Sequence, residues 1–323
     1  MANYELIFDL GSQYISAALK NDGFSDKIPT AVAYGGQDGQ QIIAVGVDAV
    51  KLQESQTGIK VSRPIFEGAV IDTEGVKALI CALLDRLVNR KLTAFSRYTV
   101  YCVTPCGMIS SDKKSIEAIF LGLGARSVSF VETPLADSLQ LFDEFRARQG
   151  VVVDLGYDCV DLAVVAGNQI VNGCTLYYAG KLLTEAIAER VKSKYSVRIS
   201  FEQAEHLKVH CASLYPNDTT VASVTGQNIE HNIKETVNIS SRELYDTIVE
   251  YVKKYVTVIQ CLMSSAPDNV APLLKTDGVM LCGGGARLAG LDLFLHTELG
   301  VPVRVAFQPE DVSIAGMMKY VKQ

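Results

Sequence analysis

No run of apolar residues in this 323-residue chain approaches the length needed to span a bilayer. The N-terminus, MANYELIFDL, has no basic region followed by an apolar stretch and a small-residue cleavage site, so no signal peptide is expected. Basic residues do not dominate: 30 Lys and Arg stand against 36 Asp and Glu, a net charge of −6. The basic stripe that releases counterions from a nucleic acid is missing, and no nucleic-acid partner is expected. No block of like charge is long enough to form a tail. The eight cysteines lack the paired close spacings of a zinc site, since only Cys102 and Cys106 come near each other and they have no partner pair. Most sit in apolar runs such as YTVYCV and VMLCGG, which reads as small buried hydrophobes in a reducing cytoplasm. What is present is an ordinary globular composition, 48% hydrophobic and 20% charged. The length exceeds that at which one core usually divides, so two lobes are expected.

The most informative feature is an internal echo. LIFDLGSQYISAAL stands at residues 6–19 and VVVDLGYDCVDLAV at residues 151–164, an offset of 145 residues. Each is an apolar β-type run, then Asp-Leu-Gly, then a second β-type run, the pattern of a hairpin whose turn carries a carboxylate and a glycine. Two such hairpins predict two lobes related by duplication. The period is far too long for a solenoid.

Between and after the hairpins, helix and strand patterns alternate, which predicts α/β lobes. Residues 76–92 place Val76, Leu79, Ile80, Leu83, Leu84 and Leu87 on one helical face, with Asp72 or Thr73 as cap. Residues 98–103 and 127–132 read as strands, and residues 112–122 as a helix. Thr133 is expected to cap a helix that Pro134 opens. Residues 180–195 predict a helix, and the polar stretch at about 215–240 part of a smaller subdomain. Ser240 and Glu243 form a capping box before a long helix whose buried face carries Leu244, Ile248, Val252, Val256, Ile259 and Met263. Residues 278–291 run strand, triple glycine, helix, and residues 310–321 predict a last helix.

In the two turns, glycine lets backbone amides approach a phosphate. Gly11, Ser12 and Gln13 supply donors in the first, and Gly156, Tyr157 and Asp158 occupy the same places in the second. Asp9 and Asp154 suit a hydrated magnesium ion, which prefers carboxylates through water together with phosphate oxygens. The triple glycine Gly283, Gly284 and Gly285 reads either as a tight turn or as a bare backbone facing a ring or a phosphate. It does not fit the G-x-G-x-x-G dinucleotide fingerprint.

In this order the three motifs resemble the actin–chaperone–hexokinase superfamily, and over nearly the whole chain the sequence is similar to the MreB family of bacterial actins. The resemblance rests on RPIFEGAVID at residues 63–72, on residues 103–139 and 180–208, and on residues 277–321. It implies an α/β, duplicated actin-like (ribonuclease H-like) fold with two lobes around a nucleotide cleft. The implied division is residues 1–140 plus 305–323 for the first lobe, with a small subdomain at about 32–72. Residues 141–304 form the second, with a small subdomain at about 180–240. The resemblance further implies ATP or ADP with magnesium. Asp9 and Asp154 then stand beside the metal, and Gly180 approaches the phosphates at a helix N-terminus. Glu205 and Lys208 hold ribose and adenine, and Gly283, Gly284, Gly285 and Arg287 form the adenosine wall.

The chain also departs from that pattern. The family usually has a glutamate before the proline to orient the attacking water. Here Glu132-Thr133-Pro134 places Thr133 there, a poor general base, while Glu132 points to the opposite face of a regular strand. Tyr157 crowds the phosphate, Asp158 adds negative charge, and Lys181 stands where an acid is usual. Glu132 and Thr133 are the catalytic candidates, and slow hydrolysis is expected. The leading expectation is a nucleotide-dependent cytoskeletal filament of head-to-tail subunits, cytoplasmic, with the membrane or membrane proteins as candidate partners, serving cell shape or internal organisation. A loop near Ala94 and Phe95 is the candidate for insertion, although Phe95 also suits a core. The alternatives are a non-polymerising adaptor or pseudo-ATPase on the same fold, and a small-molecule kinase, for which the chain is short.

Overall fold

The structure, a computed structural model, describes residues 3–20, 25–36, 38–55, 59–88 and 97–322. Two five-stranded sheets organise it. In the first, the order is Ala125–Glu132, Arg97–Thr104, Asn3–Leu10, Tyr14–Leu19, Ser25–Pro29. In the second it is Val303–Val305, Val279–Cys282, Gln149–Leu155, Val160–Ala166, Gln169–Leu176. Each sheet has its Asp-Leu-Gly hairpin in the middle. In each, the hairpin's first strand pairs in parallel with a later strand on its other side. The repeat seen in sequence is thus a repeat of topology.

Alternation along the central strands sets the layers. Leu6 and Phe8 point to one side of the first sheet, where they pack against Val76, Leu79 and Leu83 of helix Thr73–Val88 and Ile116 and Phe120 of helix Ser110–Gly122. Ile7 points to the other side, against Ala136 of helix Thr133–Phe145 and Ile314 and Met317 of helix Val312–Tyr320. The second sheet repeats this division. Val151, Val153 and Leu155 face helices Gly180–Tyr195 and Ser241–Ser264, while Val152 faces Leu141 and Phe142. Helix Thr133–Phe145 therefore gives one end to each sheet and ties the lobes together. It meets helix Val312–Tyr320 so closely that a Cβ on Gly316 would lie 1.8 Å from the Ala136 carbonyl oxygen.

Small sheets sit at the outer ends. Val32–Gly35, Gln41–Val45 and Lys60–Ser62 form one, with helix Val47–Ser55. Val197–Arg198, Val221–Asn228 and Lys234–Ser240 form the other, so the polar stretch at 215–240 contains a hairpin. Its alternating strands have one buried face and a polar outer one, which explains their weak apolar signal.

Several boundaries shift. The helix expected at 76–92 begins at Thr73, capped by Asp72, whose Oδ1 accepts the Gly75 N–H at 3.0 Å. Its expected last residues, 89–92, lie outside the described residues, as do Ala94 and Phe95. The helix expected at 112–122 starts at Ser110. Thr133 is not a cap but the first helical residue, and its hydroxyl donates to the Thr104 carbonyl at 3.0 Å. That bond joins two neighbouring strand ends, a tertiary contact that local spacing does not reveal. The capping box is formed, with Glu243 accepting the Ser240 N–H at 2.7 Å. Tyr251 and Tyr255 join the buried face of that helix because their rings stack and cross against the Tyr178 region. The triple glycine leads first into a short 3₁₀ turn, Gly284–Arg287, and the helix proper starts at Leu291.

Candidate functional site between the lobes

The two Asp-Leu-Gly turns face one cavity of about 730 Å³. They are built alike. Asp9 pairs with Ser16, and Asp154 with Asp161, each directly across its own hairpin. A Cβ on Gly11 would stand 2.6 Å from the Tyr14 carbonyl oxygen, and one on Gly156 2.7 Å from that of Cys159. Only glycine closes either turn without pushing it apart. Gly11, Ser12 and Gln13 line one wall, and Gly156, Tyr157 and Asp158 the other.

Four carboxylates converge on the floor. Asp9 and Asp154 line it, as does Asp161; Asp137, on helix Thr133–Phe145, lies just behind. Burial lifts Asp9 to about 6, helped by the charge of Asp161. Burial lifts Asp161 to about 6 as well, although the hydrogen bonds from Thr175 and the Cys106 N–H work against it. Asp154 rises well above its ordinary value through burial and then the charges of Asp137, Asp161 and Asp9. Burial raises Asp137 to about 8, against hydrogen bonds from the Ser313 hydroxyl at 2.7 Å and the Cys282 thiol at 3.3 Å. Asp154 Oδ1 is buried and has no hydrogen-bond partner. An orphaned carboxylate oxygen beside three further carboxylates is costly unless a cation or a donor meets it.

The other expected site residues occupy the same cavity in different ways. Gly180 opens its helix, but its N–H is spent on the Gly156 carbonyl at 3.2 Å, and the next N–H, of Lys181, on the Tyr157 carbonyl at 2.8 Å. The helix start is thereby docked onto the second turn. Glu205 and Lys208 form an ion pair at 2.8 Å. Glu205 also accepts from the Thr184 hydroxyl at 2.5 Å, and Lys208 donates to the Gly180 carbonyl at 3.0 Å. Arg287 lines the far wall and grips Glu310 through two bonds, at 3.0 and 2.7 Å.

The two readings of the triple glycine divide between its members. Gly283 has φ of 76°, and a Cβ there would fall 2.0 Å from Asp154 Oδ1. A Cβ on Gly285 would fall 2.9 Å from that of Leu155. These two are bare because the second hairpin lies against them. Gly284 has nothing within 4 Å and is the open member.

The catalytic candidates give a different picture. Thr133 lines the cavity, but its hydroxyl proton is committed to Thr104. Glu132 is not among the lining residues; it accepts the Gly107 N–H at 2.9 Å. The carboxylate that does enter from this side is Asp161. It accepts the Cys106 N–H at 2.8 Å, and the Thr175 hydroxyl lies between it and the Cys106 carbonyl. Sequence reading missed Asp161, although it stands 145 residues after Ser16 and so belongs to the same echo. A charged residue in an otherwise apolar strand, VDLAVVA, was the available signal.

Two sheets of equal topology, joined at one cleft with a phosphate-type turn from each, define a duplicated, actin-like α/β protein. Structural likeness agrees with that class. The structure of MreB 5 of Spiroplasma citri bound to AMPPNP superposes with a TM-score of 0.92 at 21% identity, covering 100% of this chain and 97% of the other. A MamK double helical filament gives 0.83 at 15%, covering 100% and 99%. The family model for MreB/Mbl protein matches residues 3–323, and the chain belongs to that family. It is 27% identical over 311 residues to the cell shape-determining protein Mbl of Bacillus subtilis, covering 95% of this chain and 92% of that one. It is 27% identical over 316 residues to the cell shape-determining protein MreB of Escherichia coli, covering 96% and 90%. Among the described residues, no helix is long and apolar enough to cross a membrane.

Proposed function

We propose that this chain is a nucleotide-binding, actin-like cytoskeletal subunit that assembles head to tail and acts in cell shape or internal organisation. The observation that carries the reading is the single cavity between two matched Asp-Leu-Gly turns. Membership of a family whose curated relatives are cell shape-determining supports the role. The AMPPNP-bound neighbour supports an adenine nucleotide, and the MamK filament supports self-association. The lobes are assigned as residues 1–140 with 305–323, and 141–304. The triphosphate is assigned to Gly11, Ser12 and Gln13 on one side and Gly156, Tyr157 and Asp158 on the other. Gly180 is assigned to the phosphates at its helix N-terminus, and the nucleoside to Glu205, Lys208, Arg287 and the triple glycine.

Asp9 and Asp154 would hold magnesium. The orphaned Asp154 oxygen, with Asp9 and Asp161 lining the same cavity, fits a hard cation. Bound there, the ion would supply positive charge to the phosphates. The protein's own part is to position the phosphates on two glycine turns, with Leu155 and Val103 in the cavity wall. Hydrolysis is assigned as slow, because Thr133 offers no free base and Glu132 is turned to Gly107. That same observation favours a second reading, a nucleotide-binding adaptor with little turnover.

Sedimentation and electron microscopy of the purified chain with magnesium and ATP, ADP or no nucleotide test the proposal. ATP-dependent pelleting of ordered filaments is expected. Monomers with bound nucleotide point to the adaptor, and no purine nucleotide binding at all overturns both readings.

A further inference from the structure

The mouth of the cleft carries two contacts that the proposed function leaves unused. Arg63 comes from the first lobe, beside the small sheet. Its guanidinium donates to the Ser12 and Gln13 carbonyls at 3.2 and 3.3 Å. The same guanidinium lies 5.1 Å from the centre of the Tyr157 ring, which belongs to the second lobe. Phe66 comes from the first-lobe hairpin Ile65–Phe66 and Ala69–Val70. The Lys181 ammonium, from the second lobe, stands 4.8 Å from the centre of its ring. Each contact pairs a cation of one lobe with an aromatic ring of the other, in opposite senses. Both distances fall within the reach of a cation–π attraction, about 6 Å.

The backbone around them is held. The Lys181 N–H donates to the Tyr157 carbonyl, so both second-lobe partners move as one. The Tyr157 ring also meets Phe201 edge-on at 6.4 Å. On the first lobe, a Cβ on Gly68 would stand 2.6 Å from the Pro105 ring, so the hairpin tip is wedged against the loop after strand Arg97–Thr104. Opening the lobes would strip Phe66, already 40% exposed, of its cover and release Arg63 from Tyr157 while it still grips the first turn.

We propose that Arg63, Tyr157, Phe66 and Lys181 form a clasp across the cleft mouth that holds the lobes together without nucleotide and slows nucleotide exchange. The exchange part rests on the nucleotide reading above; the closure does not. Neither contact spends a backbone N–H of the two turns, the groups a phosphate would take, so the clasp is made in the empty and the loaded cleft alike. Charge and ring are both required. Arginine at position 181 keeps the cation, and methionine keeps only the stem.

The test compares Lys181→Met and Phe66→Ala with the contact-preserving Lys181→Arg and Phe66→Tyr. One readout is release of a pre-bound N-methylanthraniloyl-ATP, chased with unlabelled ATP. The other is amide hydrogen exchange of the nucleotide-free protein over residues 65–70 and 156–159. Release about 2–5-fold faster is expected for Lys181→Met and Phe66→Ala, the size of one exposed cation–π contact. The combined variant should be no faster than either alone, since both remove the same contact. Exchange should rise in both segments, and Lys181→Arg and Phe66→Tyr should behave as the parent. Unchanged exchange in Lys181→Met overturns the clasp, as does equal acceleration by Lys181→Arg. If the parent binds no nucleotide, the functional reading fails, while the exchange measurement still decides whether the clasp exists.

Discussion

The first turn, Gly11-Ser12-Gln13, and the second, Gly156-Tyr157-Asp158, share a backbone and differ in what hangs from it. Their hairpin registers match, as do the clashes that any side chain on Gly11 or Gly156 would meet. The first turn is small and uncharged, and Ser16 faces its aspartate. The second adds a phenol, a carboxylate and a neighbouring lysine, and Asp161 faces its aspartate. Backbone geometry is preserved because closing a tight turn tolerates only glycine. The side chains lie beyond the turn and are free to diverge, so the added charge and the ring that Arg63 meets stand on the second turn.

The largest effect should come from changing what the first half offers the cavity. Thr133→Glu places a carboxylate where a committed hydroxyl now sits, and phosphate release on ATP addition should rise on the order of 10²-fold, the low end for a general base. A folded, ATP-binding variant with the parent rate would break the assignment of slow turnover to this position.

The next effect separates Asp9 from its uncharged partner Ser16. Asp9 titrates at about 6 in the folded chain because it is buried, whereas an unfolded aspartate titrates near 4. Between those values the unfolded chain loses its proton first, so stability falls as pH rises from about 4 to about 6 and then levels. Nucleotide-free Asp9→Asn should therefore be more stable than the parent at pH 7.5, by up to about 3 kcal/mol, and the gap should close near pH 4. Urea unfolding at both pH values measures it. Ser16→Ala should show no such pH dependence.

Equality is the third expectation. Gly11→Ala and Gly156→Ala should each lower stability by about 1–3 kcal/mol, because each new methyl meets a carbonyl oxygen at nearly the same distance. Denaturant midpoints that differ widely between the two would end the claim that the turns are built alike. Smallest of all, Glu132→Gln should leave phosphate release within about twofold of the parent, since its carboxylate faces Gly107 and not the cavity.

Much of this was legible in sequence because it is local. The capping box at Ser240 and Glu243, the apolar stripe of helix Thr73–Val88 and the two hairpins are all short-range patterns. The misreadings share one cause. Thr133 resembles a cap in isolation, but the Thr104 carbonyl on an adjacent strand claims its hydroxyl. The start of helix Gly180–Tyr195 was legible, but that the second turn takes the Gly180 N–H was not. Asp137 sits in a helix as an unremarked polar residue, and only the crossing of helix Val312–Tyr320 and strand Val279–Cys282 buries it completely.

By itself, the order of residues determined the duplication, the two glycine turns and the family, since each is written as a periodicity or a spacing along the chain. Which carboxylates share one floor, which amides remain unspent and which cation of one lobe meets which ring of the other were decided only by the tertiary structure. Asp137, for one, takes its hydrogen bond from Ser313, 176 residues away, and a burial or a hydrogen bond exists only once both partners have arrived.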